Sequence, residues 1–87
     1  MDKYIENLRG LIDRLDSEII EKVAKRHEIS KQIGEYKQQY GLEILDQDRE
    51  NKLQEYHKDL SIKHNIAQSL VLEIFDLIIK QSKTLQQ

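Results

Sequence analysis

Two cations interrupt an apolar helical stripe in the first half of this 87-residue chain. Projected at about 100° per residue, Arg26 falls on the same side of a helix as Leu8, and Lys37 on the same side as Ile19. Charges on a buried helix face are costly unless another group pairs with them. The two cations stand about 16 Å apart along a helix, so their long side chains can close on one small molecule. We therefore expect a binding site for an anion.

Polar residues in the second half of the chain extend this candidate site. Arg49 lies one turn before Leu53, on the apolar side of a second helical pattern. Ser82 and Gln86 continue the apolar stripe of a third pattern at four-residue steps. Cationic donors dominate the implied cavity, so its ligand should carry carboxylates or phosphates. The cavity predicted from the residues alone is lined by Arg26, Lys37, Arg49, Ser82 and Gln86.

Each of these residues also has a simpler interpretation. A single cation on an apolar face usually extends its charged end into water or pairs with an acid. Arg49 could pair with one of the acids at positions 46, 48 and 50, and Ser82 could be an ordinary polar residue near a helix end. A binding site is favoured because three predicted helices each place polar groups on their inward side.

The sequence offers little for metal or nucleophilic chemistry. The three histidines, His27, His57 and His64, lack a spacing typical of metal ligands, and we expect all three on the surface. The chain has no cysteine, and its sequence suggests no set of Ser, His and Asp for nucleophilic catalysis. We therefore expect neither a metal nor another cofactor.

The composition favours a single helical domain over residues 1–87. The chain contains no proline and only three glycines, so few residues break a helix. Charged residues make up 34% of the chain and leave a net charge of -2, which argues against a nucleic acid partner held by bulk charge. The start is too polar for a secretory signal, and no apolar run is long enough to span a membrane. We expect a soluble cytoplasmic protein without membrane contact.

Apolar periodicity predicts a very long first helix. The pattern covers residues 3–40 and ends at Gly41, the residue type favoured just past a helix end. Gly10 and Gly34 fall inside the pattern and cost about 1 kcal/mol each relative to alanine, which is too little to break it. A short connection with apolar anchors follows at residues 42–45.

Two shorter helices are predicted after this connection. The second covers about residues 47–63 and is capped by Asp46 or Asp48. The third covers about residues 66–85 and begins with a capping box. The capping box consists of Asn65 and Gln68. The predicted inward residues are Leu53, Tyr56 and Leu60 in the second helix, and Leu70, Val71, Ile74, Phe75 and Ile78 in the third.

The first helix is too long for the other two to cover. It would measure about 57 Å, whereas each shorter helix reaches at most about 30 Å. A monomer would leave a large apolar patch exposed, so we expect a second copy to bury the remainder in a helical dimer. Arg9 flanks the same stripe about 42 Å from Lys37. Any site that Arg9 serves must therefore take its other residues largely from a partner chain.

These residues, in this order, resemble the all-helical class of chorismate mutases. The most specific part of the match is the segment D-x-x-R-E at residues 46–50, joined to two upstream cations and a terminal Ser and Gln. The resemblance covers nearly the whole chain, and it departs from the family's pattern at Lys83, where an apolar residue is common. The matching residues are Leu8, Arg9, Ile12, Leu15, Asp16, Arg26, Gly34, Lys37, 46–50, Ile78, Ile79, Ser82 and Gln86.

The resemblance implies an all-α fold of three helices per chain, assembled as an intertwined homodimer with two shared active sites. The implied reaction is the Claisen rearrangement of chorismate to prephenate, in phenylalanine and tyrosine biosynthesis. Arg26 and the partner subunit's Arg9 would hold the two carboxylates of chorismate. Lys37 and Gln86 would donate hydrogen bonds to the ether oxygen, which gains negative charge as the C–O bond breaks.

The resemblance also assigns roles around the ring of the substrate. Glu50 and Asp46 would receive the ring hydroxyl, Ser82 would assist on the ring carboxylate, and Arg49 would order the acids. The implied catalytic residues are Arg26, Lys37, Glu50 and Gln86, and the implied apolar walls are Ile33, Leu53 and Ile79.

Two other functions compete with this prediction. An isochorismate-pyruvate lyase uses the same scaffold and the same cations, although the D-x-x-R-E segment favours the mutase. A non-catalytic dimerisation module would use the helices for assembly alone.

Overall fold

The computed structural model describes residues 2–86, which form three α-helices. They are α1 (Lys3–Gln39), α2 (Gln47–Lys63) and α3 (Gln68–Gln86). The predicted all-α class is confirmed. No helix within the described residues is both long and apolar enough to cross a membrane.

The ends of α1 follow from local hydrogen bonding. The side chain of Asp2 accepts from the backbone N–H groups of Tyr4 and Ile5, which have no partner inside the helix. At the other end Gly41 adopts a φ of 65°, and the N–H of Leu42 donates to the Lys37 carbonyl at 2.8 Å. This left-handed turn is the helix stop predicted at Gly41.

The connection between α2 and α3 corrects one prediction. Asp46 caps α2 as expected, since its Oδ1 accepts from the Arg49 N–H at 3.1 Å. Asn65, however, does not cap α3. Its φ is 53°, and its N–H donates back to the Ile62 carbonyl, so Asn65 ends α2. Asn tolerates the left-handed region better than most residues, and α3 consequently begins two residues later than predicted, at Gln68.

Helix α3 packs against both other helices, whereas α1 and α2 do not pack directly on each other within residues 2–86. Contacts from Arg26 to Ser82 and from Gly34 to Gln86 show that α1 and α3 run in the same direction here. The ion pair between Glu50 and Lys83 joins the start of α2 to the end of α3, so these helices are antiparallel. A cavity therefore remains between α1 and α2.

The first half of α1 extends away from the rest of the chain. Residues 3–22 are all exposed, including the stripe residues Leu15 at 56% and Ile19 at 58%. The radius of gyration is 16.8 Å, against about 12 Å for a compact chain of this length. The accessible surface is 7456 Å², against roughly 5400 Å² for a folded monomer of this mass. A single chain thus leaves much of the predicted apolar stripe uncovered.

The core differs from the prediction at several positions. His57 was expected on the surface, but it is only 4% exposed because its ring stacks on Phe75 with 3.7 Å between ring centroids. His27 is half-buried rather than exposed, and His64 is exposed as expected. The contacts among the three helices do not cover every expected core residue, so some of these residues stay exposed in one chain. These residues are Tyr56 on α2 and Leu70 and Ile74 on α3.

Burial of His57 predicts a pH dependence of stability. Desolvation, followed by the positive charges of Arg26 and Arg49, lowers the pKa of His57 from 6.5. The unfolded chain then binds the proton more readily, so the stabilisation is complete above pH 6.5 and declines as pH falls toward the lowered folded pKa. We expect the midpoint temperature of thermal unfolding to decrease when the pH is lowered from 7.5 to 5.5.

Two substitutions isolate the contribution of His57. His57→Phe retains an aromatic ring against Phe75 but cannot titrate, so its midpoint should depend less on pH than that of the wild type. His64→Gln, at the exposed end of α2, should behave like the wild type. Equal pH slopes for His57→Phe and the wild type would contradict the assignment.

Candidate active site

A cavity of about 220 Å³ lies between α1 and α2 and is bounded by α3 and the 42–45 connection. Its walls are partly apolar, and polar groups enter from each bounding element. The lining residues are Arg26, Ile29, Ser30, Ile33, Lys37, Ile44, Asp46, Arg49, Glu50, Leu53, Ile79, Ser82, Lys83 and Gln86.

A hydrogen-bonded network joins α1 to the end of α3 on one side of this cavity. Arg26 Nη1 donates to Ser82 Oγ at 2.7 Å, and that hydroxyl donates to the Ile78 carbonyl at 2.9 Å. Gln86 Nε2 donates to Ser30 Oγ at 3.0 Å, and Ser30 Oγ donates to the Ser82 carbonyl at 3.3 Å. Both α3 residues of the predicted site are thus held against α1.

Lys37 is positioned by the connection after α1. Its Nζ donates to the Ile44 carbonyl oxygen at 2.8 Å, and its side chain is half-buried. The left-handed turn at Gly41 brings the chain back over the last turn of α1, which puts this carbonyl within reach. An ammonium group has three N–H donors, so two remain for a ligand.

Arg26 is partly desolvated at the cationic side of the cavity. Burial, and secondly the positive charge of Arg49, lowers the pKa of Arg26. Within residues 2–86 no ion pair involves Arg26 or Arg49. The alternative in which Arg49 pairs with a neighbouring acid is therefore not observed. An anion in the cavity would relieve both the desolvation and the repulsion.

The acids lie where α2 begins. Glu50 forms an ion pair with Lys83 of α3, while one oxygen of Asp46 caps α2. Glu50 keeps a second carboxylate oxygen that can accept a hydrogen bond from a ligand. The cavity thus has two cations along α1, and at the start of α2 it has two acids with Arg49 beside them.

Gly34 allows α3 to approach α1 closely. A Cβ built at this position would lie 2.7 Å from Gln86 Cα and 3.0 Å from its carbonyl oxygen, which is closer than real Cβ contacts. Either the last turn of α3 or the backbone of α1 would have to move. Gly34 therefore fixes the position of Gln86 in the cavity.

We expect Gly34→Ala to lower kcat/KM by about 10- to 100-fold, because a displacement of about 1 Å at a catalytic group has effects of this size. The matched control is Gly10→Ala, on the side of α1 opposite the stripe, where a new Cβ meets nothing within 4 Å. This control should keep full activity, although both substitutions favour helix intrinsically. Wild-type kinetics in Gly34→Ala would show that the placement of Gln86 is unimportant.

The structure brings seven of the eight predicted site residues to one cavity, and the three predicted apolar walls with them. Arg9 lies apart, on the exposed first half of α1. Sequence reasoning missed Ser30, whose only signal was its place between Arg26 and Gly34 on the same side of α1. It also did not assign Ile29 and Ile44 to the cavity, and Ile44 contributes through its backbone, which no side-chain pattern reveals.

The fold and the cavity together define an all-α protein with a pocket of about 220 Å³ that Arg26, Lys37 and Arg49 line. Residues 8–87 match the family described as chorismate mutase type II, and the chain belongs to this family. The resemblance inferred from the sequence is thereby confirmed.

Three relatives have informative names. A chorismate mutase of Methanocaldococcus jannaschii is 30% identical over 87 residues, covering 100% of this chain and 88% of that protein. The T-protein of Haemophilus influenzae is 32% identical over 78 residues, covering 90% of this chain and 21% of that protein. A 4-amino-4-deoxychorismate mutase of Streptomyces venezuelae is 22% identical over 77 residues, covering 88% of this chain and 75% of that protein.

Proposed function

We propose that this chain is a chorismate mutase, an isomerase of aromatic amino acid biosynthesis, and that residues 1–87 act as one domain within a homodimer. Family membership and the relative from Methanocaldococcus jannaschii support the activity. The observation that carries the proposal is the grouping of Arg26, Lys37, Arg49 and Gln86 around one cavity. Chorismate carries two carboxylates, which match this excess of cationic donors.

The rearrangement is intramolecular, and its electrons shift around a six-membered ring of atoms. The C–O bond of the ether breaks while a C–C bond forms between the side chain and the ring. No proton, nucleophile or electron acceptor is consumed. The protein has to fold a flexible substrate into its reactive conformer and stabilise the negative charge that develops on the ether oxygen.

Lys37 and Gln86 are the proposed donors to this oxygen. Lys37 Nζ is fixed by the Ile44 carbonyl and has two further N–H groups. Gln86 Nε2 is fixed by Ser30 and has one further N–H group. Because both donors are already oriented, little reorganisation opposes the reaction.

Arg26 is the proposed partner of one carboxylate, and the partner subunit's Arg9 of the other. The contact from Arg26 to Ser82 fixes the plane of the guanidinium and leaves other N–H groups for a carboxylate. The hydroxyl of Ser82 already donates to the Ile78 carbonyl. We infer that Ser82 assists mainly by orienting Arg26.

Glu50 and Asp46 are the proposed acceptors of the ring hydroxyl. Each acid has one oxygen engaged within the chain, by the α2 cap for Asp46 and by Lys83 for Glu50, and keeps the other oxygen for the ligand. Arg49 supplies positive charge beside both. Ile33, Leu53 and Ile79 would hold the apolar parts of the ring.

An intertwined dimer accounts for the shape of the chain. The surface exceeds that of a folded monomer by roughly 2000 Å², an area of the size that obligate dimers bury per chain. We infer that the chain that covers the stripe from Leu8 to Ile19 also supplies the partner subunit's Arg9 to the cavity. A cytoplasmic location stays a prediction from the sequence.

The test is a comparison of two substrates and their products. The purified chain should convert chorismate to prephenate and release no pyruvate. Incubation with isochorismate should yield no salicylate above the uncatalysed rate. Salicylate formation from isochorismate at a higher kcat/KM would favour the lyase, and inertness toward both would favour a dimerisation module.

A further inference from the structure

An ion pair stands where two cavities meet. Lys83 Nζ contacts Glu50 Oε1, and both side chains line the candidate active site. The same two residues, with Ile79, also line a second cavity between α2 and α3. The pair therefore forms part of the partition at the edge of the site.

The pair is less exposed to solvent than its neighbour on α3. The Glu50 side chain is 27% exposed and that of Lys83 is 41% exposed. By contrast, the neighbouring pair of Lys80 with Asp76 has side chains that are 70% and 62% exposed, where such pairs contribute little. Glu50 is thus a partly exposed acid whose charge is balanced by Lys83 before any ligand binds.

We propose that Lys83 is a specificity-determining residue, which makes the Glu50 end of the cavity select a neutral ring hydroxyl over a positively charged ring amine. The inference rests on the proposed function, in which Glu50 accepts the hydrogen of the ring hydroxyl. A hydroxyl needs one acceptor oxygen, and Glu50 Oε2 supplies it without giving up Lys83. An ammonium group at the same ring position would need the full negative charge of Glu50 and would face the Lys83 ammonium.

Like charges brought close together at a partly buried site disfavour binding, so a charged residue can produce specificity by excluding a ligand of the same charge. Asp46 accepts the Arg49 N–H with its Oδ1 as the cap of α2, and its Oδ2 stays available as a second acceptor. Among the α3 residues that line the cavity, Lys83 is the one that carries a charge, and it acts on Glu50 through their ion pair.

The experiment compares kcat/KM for chorismate with kcat/KM for 4-amino-4-deoxychorismate, whose ring amine is protonated near neutral pH. The wild type should prefer chorismate. In Lys83→Met the relative value for the amino compound should rise about tenfold, the size of one hydrogen bond to a charged group. Lys83→Arg should keep the wild-type ratio because it keeps the charge, and Lys80→Met should also keep it because its pair lies outside the active site.

The possible results distinguish a failure of the proposed role of Lys83 from a failure of the proposed function. A wild type that is inactive toward chorismate refutes the proposed function. An active wild type whose ratio is unchanged in Lys83→Met overturns the role of Lys83. Lys83→Gln gives the same comparison should the methionine variant fail to fold. The last comparison adds Lys83→Met to a Glu50→Gln variant. If the kcat/KM ratio of the amino compound to chorismate rises as much there as in the wild type, Lys83 acts independently of Glu50, and the inference is overturned.

Discussion

Lys37→Ala should lower kcat by about 10²- to 10³-fold, the usual cost of removing one preorganised donor from a site where negative charge develops. The ammonium of Lys37 is held by the Ile44 carbonyl at the cavity wall and has two N–H groups to offer. KM should change less than kcat, because the ether oxygen gains its charge only as the bond breaks.

The helices and the assembly should survive this substitution. Lys37 is half-buried in the last turn of α1, and alanine is the better helix former. Circular dichroism and size-exclusion chromatography should therefore match the wild type. Lys31→Ala, which removes an exposed lysine of the same helix, is the matched control and should keep full activity. Near-normal turnover in folded Lys37→Ala would refute the assignment of the site.

Mixing two inactive variants should restore activity if each active site is shared between chains. Arg9 lies about 42 Å from Lys37 along α1, so no single chain brings both residues to one ligand. Arg9→Ala and Lys37→Ala homodimers should each be nearly inactive. A mixed dimer contains one site with neither substitution and one site with both.

Co-refolding equal amounts of the two variants should yield roughly a quarter of the wild-type activity, because about half of the dimers are mixed and each has one intact site of two. In the control, the two variants are refolded separately and then combined. This mixture of homodimers should stay inactive as long as the dimers do not exchange subunits. Failure of the co-refolded mixture to regain activity, with dimers present, would contradict a shared site.

The sequence predicted the helices because their signals are local. Apolar spacing, the glycine at 41 and the aspartate at 46 act within a few residues, and the boundaries of α2 agree with the prediction. The site was predictable for a related reason. Charges on an apolar face have few structural roles, so Arg26 and Lys37 were informative before any fold was known.

What the sequence did not reveal depends on contacts between distant segments. The stacking of His57 on Phe75 and the packing of Gly34 against Gln86 join elements that are far apart in the chain. Asn65 was misassigned because the same residue type favours a helix start and a left-handed helix end. In the structure Asn65 adopts the second of these, and the N–H groups of Asn65 and Ile66 donate back to carbonyls of α2.

The most direct test of the central claim follows chorismate and prephenate together by NMR in the presence of the purified chain. We expect one prephenate for each chorismate consumed, at a rate proportional to chain concentration. A bicyclic dicarboxylate that mimics the transition state should block this conversion. Consumption no faster than the uncatalysed rearrangement, or catalysis unaffected by that mimic, would contradict the assignment of this cavity as a chorismate mutase active site.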